Sequence, residues 1–455
     1  MSREMPASPQ GRGLLFASYL LITAAVAAPF WFWKGGVLEL EVLHFIDRYL
    51  DDRTLLHKIF DPYTNDFRTY QARELSYFID YIDAHVFRQL VRWDLMVFIP
   101  LSAVIASVLT VGIFLYAIRR YRGLTPLTAS LLLLVYLSNY IHLVTMGMFY
   151  RSTKPLLAPV LMGTAFYLAS VFEGRVRRWT PLAVFGLFCL MSLLDRQGFF
   201  YAIVGSGLVA AHALFTRRGW TIVSAAAAAV LAMTAYDVWI GPWIIERVSG
   251  YVPSLAYQEV PKEPLLQGLP YRQSIEILGE SLTVFLGSTS TVIAIALVAA
   301  VAAAGIWRAG PGRTPRLTLA AILAAVAVSQ VVMFAAMIVR HPPLYDWIDH
   351  RYWYYPLPFQ ALVLALLAML LHRAVAGWTG WKLAVVHVAL VAAIAGNVAH
   401  WTFYRDVQQT SRWFSRVYPQ TEILKSSLAA GHPDPRLIPQ YRGFYELCVR
   451  IRTGQ

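Results

Sequence analysis

The sequence predicts an all-α polytopic membrane protein with about eleven transmembrane helices, and three observations carry that expectation. Of its 455 residues 58% are hydrophobic and only 14% charged, too little charge to cover the surface of a soluble chain of this length. The apolar residues come in blocks of about 18–25, the length that crosses a hydrocarbon core of roughly 30 Å as a helix. Blocks such as Ser224–Met233 and Ile293–Gly305 lack the period-two alternation that a membrane β-barrel requires.

Spans are expected near residues 13–33, 95–118, 126–148, 156–172, 180–194, 198–216, 220–243, 283–307, 317–339, 355–372 and 382–400. Ala25-Val26-Ala27 resembles a signal-peptide cleavage site. Because the apolar run continues through Trp33, the first span reads as an uncleaved anchor. Lysine and arginine in the loops set the orientation. The N-terminus and the loops at Arg119–Arg122, Glu173–Arg178, Arg217–Arg218, Arg308–Arg316 and Arg373–Lys382 hold fifteen cations against Glu4 and Glu173. That net +13 equals the formal charge of the whole chain, so the basic balance reports topology and implies no nucleic-acid partner. The N-terminus is thus expected to be cytoplasmic and the tail from Trp401 extracytoplasmic. The lack of any Asn-x-Ser/Thr acceptor points to a bacterial cytoplasmic (inner) membrane. Cys189 in a span and Cys448 in the tail offer neither a disulfide pair nor a thiol cluster.

Two regions are expected: a transmembrane module over 1–400, with a long first outer loop at 34–94, and an extracytoplasmic tail over 401–455. Within the loop, Leu38, Val42, Phe45, Ile46 and Tyr49 make one helical stripe, as in a helix lying on a membrane surface. Leu75, Phe78, Ile79, Ile82 and Phe87 repeat the pattern over 74–90. No internal repeat and no matching pair of interrupted spans is visible.

The chemistry-bearing residues gather in the segments expected outside. Asp66 follows a Pro62/Asn65 turn, at a position suited to a helix N-cap or to a general base at the mouth of the bundle. Asp61 and Glu74 are its rivals, whereas Asp80 and Asp83 read as solvated on a helix face. The loop at 340–355 is rich in aromatics, and Trp353 and Tyr355 suit a membrane belt. Arg351, bracketed by aromatics at the hydrocarbon edge, is costly there unless paired, and a phosphate is a suitable partner. Asp346, Asp349 and His350 follow no established metal-ligand spacing, so no metal ligands are assigned, although a divalent ion stays open. Asp195-Arg196 is either a polar turn with a locally neutralised pair or, with Arg196, Arg151, Lys154 and Arg351, part of a cationic pocket. Asp237 lies where it could face that pocket, and His142 reads as a satisfied interior histidine.

These features together resemble the GT-C superfamily of membrane glycosyltransferases. Asp66-x-x-x-Tyr70-x-Ala72-Arg73-x-Leu75 is similar to that family's acidic first-loop motif, and His350-Arg351-Tyr352 before Pro356-Leu357-Pro358 to its Arg-Tyr…Pro segment. Leu194-Asp195-Arg196-Gln197-Gly198 is similar to the arginine turn of some members. The departures are the late position of Asp66 and Phe67 in place of the second acid of a frequent Asp-Glu pair. The resemblance implies transfer of a sugar from a polyprenyl-phosphate donor to a glycan, lipid or protein acceptor on the extracytoplasmic face, with inversion. Asp66, Glu74 or Asp61 would be the base. Arg351, Arg196, Arg151 and Lys154 would hold the donor phosphate, and Tyr70, Tyr352, His350 and Asp195 would line the pocket. A lipid or glycan transporter or flippase is the alternative. It would be expected to show ionisable groups at mid-bilayer, broken helices or paired repeats.

Overall fold

The structure, a computed structural model, describes residues 9–39, 42–60, 69–121, 124–149, 153–255, 261–268, 270–276, 297, 300, 328, 330–336, 338–339, 356–375, 378–401 and 414–454. Helix α1 (Pro9–Phe32) leads through β1 (Val37–Leu38) into α2 (Val42–Leu50) and α3 (Leu55–Phe60). After β2 (Thr69–Tyr70) comes α4 (Glu74–Arg92). An apolar series follows: α5 (Leu101–Ile118), α6 (Pro126–Leu137), α7 (Tyr140–Gly147), then β3 (Met148–Phe149), α8 (Thr153–Phe172), α9 (Thr180–Leu194), α10 (Arg196–Thr216) and α11 (Trp220–Ala235). A π-helical turn, Tyr236–Ile240, joins α11 to α12 (Gly241–Ser249), before β4 (Ser254–Leu255) and α13 (Lys262–Leu266). The last described elements are α14 (Pro356–Val375), α15 (Trp381–Ala399), α16 (Phe414–Ala430) and α17 (Pro439–Thr453).

Among the described residues, five helices are long and apolar enough to cross a membrane: Leu101–Ile118, Pro155–Phe172, Arg196–Thr216, Trp220–Ser249 and Trp381–Ala399. Shorter apolar helices at Phe16–Phe32, Thr180–Leu194 and Leu357–His372 coincide with three more of the expected segments. The segments at 283–307 and 317–339 fall mostly outside the described residues. The helix expected to end at 243 runs on to Ser249, through the π-turn.

The expected span at 126–148 is not a straight rod. α6 and α7 meet at 62°, and together they make a sixth candidate span. Ser138 ends one helix and Asn139 starts the next, its side chain accepting from Ile141 N at 2.8 Å. Carbonyls freed by such a break must find donors when water is excluded. Helix α15 supplies them: Asn397 Nδ2 donates to Val135 O at 3.1 Å, and at the end of that helix Trp401 Nε1 donates to Ser138 O at 2.7 Å. The sequence shows no break here because there is no proline; the donors lie some 260 residues away.

Among the described residues the buried apolar side chains form four clusters, of which two are the largest. The larger runs through α1, α5, α6, α7, α8, α14 and α15. The second is built from α2, α4, α16 and α17, with Tyr49, Phe87, Leu424, Tyr441 and Phe444 at its centre. The stripe on α2 is real, with Val42, Phe45, Ile46 and Tyr49 buried. Its partner is protein, not a membrane surface, because the C-terminal helices cover it. Tyr441 Oη donates to Leu38 O, and Lys425 Nζ donates to Lys34 O and Gly36 O at 2.8 and 3.0 Å. The β1–β3 pairing, Val37 with Met148 and Leu38 with Phe149, ties the same turn to the end of α7.

Helix α4 corrects two expectations. Its buried side carries Tyr77, Ala84, Phe87 and Val91, whereas Phe78 and Ile82 of the expected stripe are exposed. Asp83 is not solvated: it is buried, accepting from Ser102 N at 3.0 Å and from the Ser102 hydroxyl. The first N–H groups of a helix lack intrahelical partners, and Pro100 at the N-cap of α5 has no side-chain acceptor. A carboxylate from α4 does that work, and its burial turns the helix.

Phe444 is fully buried at the centre of the second core. Phe444→Ala is expected to cost about 3–5 kcal/mol. Limited proteolysis in detergent should then cut the 34–94 segment well before the apolar helices; unchanged protection would show that the C-terminal helices do not hold it.

Candidate functional site

The site lies where β2 and the start of α4 meet the π-turn and the α9–α10 hairpin. Parallel pairing of β2 with β4, Thr69 with Ser254 and Tyr70 with Leu255, fixes the approach. Tyr70 is almost fully buried, and its hydroxyl donates to Glu74 Oε1 at 2.6 Å. Its ring rests on Gly241, where an added Cβ would lie 1.9 Å from the Tyr70 hydroxyl oxygen. Only glycine admits the tyrosine there. Pro242 stands at the second position of α12 and has no N–H to give to the preceding turn. The π-turn just before it inserts an extra residue, a feature frequent at functional sites. That turn carries Tyr236, whose hydroxyl stands near Glu74, and Asp237, whose Oδ1 accepts from Ala72 N at 3.2 Å.

Glu74 opens α4, so the helix dipole favours its charged form. Burial prevails nonetheless. Removal from water pushes the carboxyl up to about 7, against the lowering effect of the Tyr70 hydrogen bond and the nearby Tyr236 hydroxyl and with a further push from Asp237. Tyr70 is shifted upward as well, by burial and then by the neighbouring Glu74 charge, so it stays a hydrogen-bond donor.

Beside this pair, Arg73 reaches Asp195, with Nε and Oδ2 3.8 Å apart and side chains 16% and 3% exposed. Asp195 also caps α10, accepting from Gln197 N at 2.8 Å. Its ionic partner is therefore a residue from the first loop segment as well as any neighbour in its own turn. Gly198 lets the hairpin close, since a Cβ there would sit 2.0 Å from Met191 O. Arg196 lies half-buried in the first turn of α10. Deeper in, Gln197 Nε2 donates to Gln330 Oε1 at 3.4 Å, and Tyr201 Oη donates to the same oxygen at 2.5 Å.

Of the residues selected from sequence, Tyr70, Glu74, Asp195 and Arg196 converge here. Asp61, Asp66, Arg151, His350, Arg351 and Tyr352 lie outside the described residues, and so do Asp346, Asp349, Trp353 and Tyr355. Lys154 is in the first turn of α8, with its side chain outside the description. Sequence reasoning missed Tyr236 and Gln330 and gave Arg73 no role of its own. A tyrosine next to Asp237, before Gly241-Pro242, was the available signal for Tyr236. His142 corrects another expectation: it is fully buried against Tyr136, but among the described residues neither ring nitrogen has a hydrogen-bond partner. Among the described residues no group of three or more His, Cys, Asp or Glu is placed to hold a metal ion.

A buried carboxyl raised to about 7, hydrogen-bonded by the Tyr70 hydroxyl beside an arginine–aspartate pair, can take or give a proton at physiological pH. Comparison of the chain with protein-family models, curated proteins and solved structures gives no match.

Glu74 also makes stability depend on pH. Its folded pKa is raised from 4.5 to about 7, so the protonated form contributes stability that is complete below about 4.5 and lost as pH rises through 7. The difference is about 3 kcal/mol. Thermal unfolding in detergent should show wild type weakening between pH 5 and 8, with Glu74→Gln nearly flat over that window and the more stable of the two at pH 8. A parallel slope in both proteins would exclude Glu74 as its source.

Proposed function

We propose that the chain is a multi-pass membrane glycosyltransferase of the GT-C type, moving a sugar from a polyprenyl-phosphate donor to an acceptor on the extracytoplasmic face. Glu74 is the general base in this reading. The observation that carries it is the buried Glu74 carboxyl, with its pKa near 7, where the first-loop helix meets the apolar bundle. A base must ionise near the operating pH to take the acceptor's hydroxyl proton. One in-line displacement at the anomeric carbon then breaks its bond to the donor phosphate oxygen and inverts the centre. The leaving group departs as a lipid phosphate, which needs cations where charge develops. Arg196, with Arg351, Arg151 and Lys154, is proposed for that role, and Tyr70, Asp195, His350 and Tyr352 for the pocket.

The topology belongs to the same proposal: eleven spans in a bacterial cytoplasmic membrane, with segment 34–94 and the C-terminal helices both extracytoplasmic. The core shared by α2, α4, α16 and α17 supports it. Segments that pack together stand on one side, so an even number of crossings separates them. Ten crossings between the first loop and the tail satisfy that condition.

Transfer from a short-chain polyprenyl-phosphate sugar is the direct assay. Glu74→Gln should lower the rate by about 10²–10⁴-fold, and the wild-type rate should climb with pH through about 7 and level off. Tyr70→Phe removes a hydrogen bond that favours the charged form, so its rising limb should move to higher pH. Full activity in Glu74→Gln together with its loss in Asp66→Asn would transfer the role to Asp66.

One observation favours a flippase or transporter instead. The bent α6–α7 pair holds a buried histidine with no hydrogen-bond partner among the described residues, and broken helices with intramembrane ionisable groups mark transport pathways. Proteoliposomes decide between the readings. Lipid-linked glycan crossing the bilayer without sugar transfer, and blocked in His142→Ala, would select transport.

A further inference from the structure

A second polar site lies at the surface beside the core of α2, α4, α16 and α17, away from Glu74. Helices α2, α4 and α17 border an open cavity of about 310 Å³ lined by Arg48, Arg88, Arg92 and Arg450 together with Asp47 and Asp51. Arg88 is fourteen residues along α4 from Glu74, about 21 Å at the helical rise, so the two sites are distinct. The two carboxylates are already engaged. Asp47 pairs with Arg450 at 3.0 Å, and Asp51 with Arg53 at 2.6 Å and Lys58 at 3.6 Å.

Arg88 and Arg92 are four residues apart on one face of α4, where like charges repel. Among the described residues neither has a carboxylate within 4 Å, and the buried Nε of Arg88 makes no hydrogen bond. The surroundings are positive in other respects: the His85 ring is held below the usual histidine range, first by burial and then by Arg88 and Lys58. Guanidinium groups arriving from three helices offer several planar N–H pairs, the geometry that holds phosphate oxygens two at a time. A carboxylate would neutralise only one of them.

We propose that this cavity is a binding site for a phosphate-bearing anion of two or more charges, independent of the transferase reading. The ligand bridges Arg88 and Arg92 and draws in Arg48, while Asp47 competes with it for Arg450. The phosphate belongs either to a soluble diphosphate-like molecule or to an anionic lipid headgroup.

Full-length protein in detergent is titrated with inorganic pyrophosphate by calorimetry. In a parallel arm its unfolding temperature is measured in nanodiscs of phosphatidylcholine with and without cardiolipin, whose headgroup carries two phosphates. Arg92 is exposed, so Arg92→Gln should fold as wild type does, which its ligand-free unfolding temperature checks; Arg88→Gln is the second variant. Pyrophosphate binding weakened by about tenfold or more in Arg92→Gln and tightened in Asp47→Asn supports a soluble ligand. Stabilisation only by cardiolipin, lost in Arg92→Gln, supports a headgroup. No response in either arm, or a response that Arg92→Gln and Asp47→Asn leave unchanged, overturns the proposal.

Discussion

A polar group taken out of water must be given a partner, and most of the non-obvious geometry of this protein follows from that requirement. The carbonyls freed where α6 breaks from α7 are met by Asn397 and Trp401. The open N-terminus of α5 is met by Asp83. Lys425 closes the Lys34–Gly36 turn by donating to two of its carbonyls. In each case the partner comes from a different element of the chain, so the same hydrogen bonds that satisfy the interior also dock one segment on another.

The same requirement shapes the candidate site. Glu74 keeps one strong hydrogen bond, from Tyr70, and its pKa settles near 7 because burial outweighs the donors around it. A fully compensated carboxylate would titrate far lower and be inert at neutral pH; an uncompensated one would stay protonated. Tyr70 holds that balance only because Gly241 leaves it space and the π-turn brings Tyr236 and Asp237 within reach. Arg73, next to Glu74 in sequence, is directed away to Asp195, so the strongest local cation does not quench the shift. The arginine cavity between α2, α4 and α17 stands in contrast, since there the cations outnumber the acids that face them.

Apolar block lengths were legible in the sequence because a hydrocarbon layer imposes one length on every helix that crosses it. The α2 stripe was legible too, as was the convergence of Tyr70, Glu74 and Asp195 on a polar site, since buried polar types are rare enough among apolar residues to stand out. The pattern did not reveal what each face meets. A stripe that packs on protein has the same periodicity as one that lies on lipid, and α2 packs on the C-terminal helices. Asp83 read as solvated because its acceptor role depends on Ser102, nineteen positions away on another helix.

By itself, then, the sequence determined that this chain is helical and apolar, and which few polar residues would have to be accounted for, because hydropathy and helical period are local properties. Tertiary structure alone decided where α6 breaks, which side of α4 is buried, that Arg73 rather than only its own turn neutralises Asp195, and that burial lifts Glu74 to neutrality. Each of those outcomes depends on which donor, acceptor or wall stands opposite, and that is a property of two segments at once.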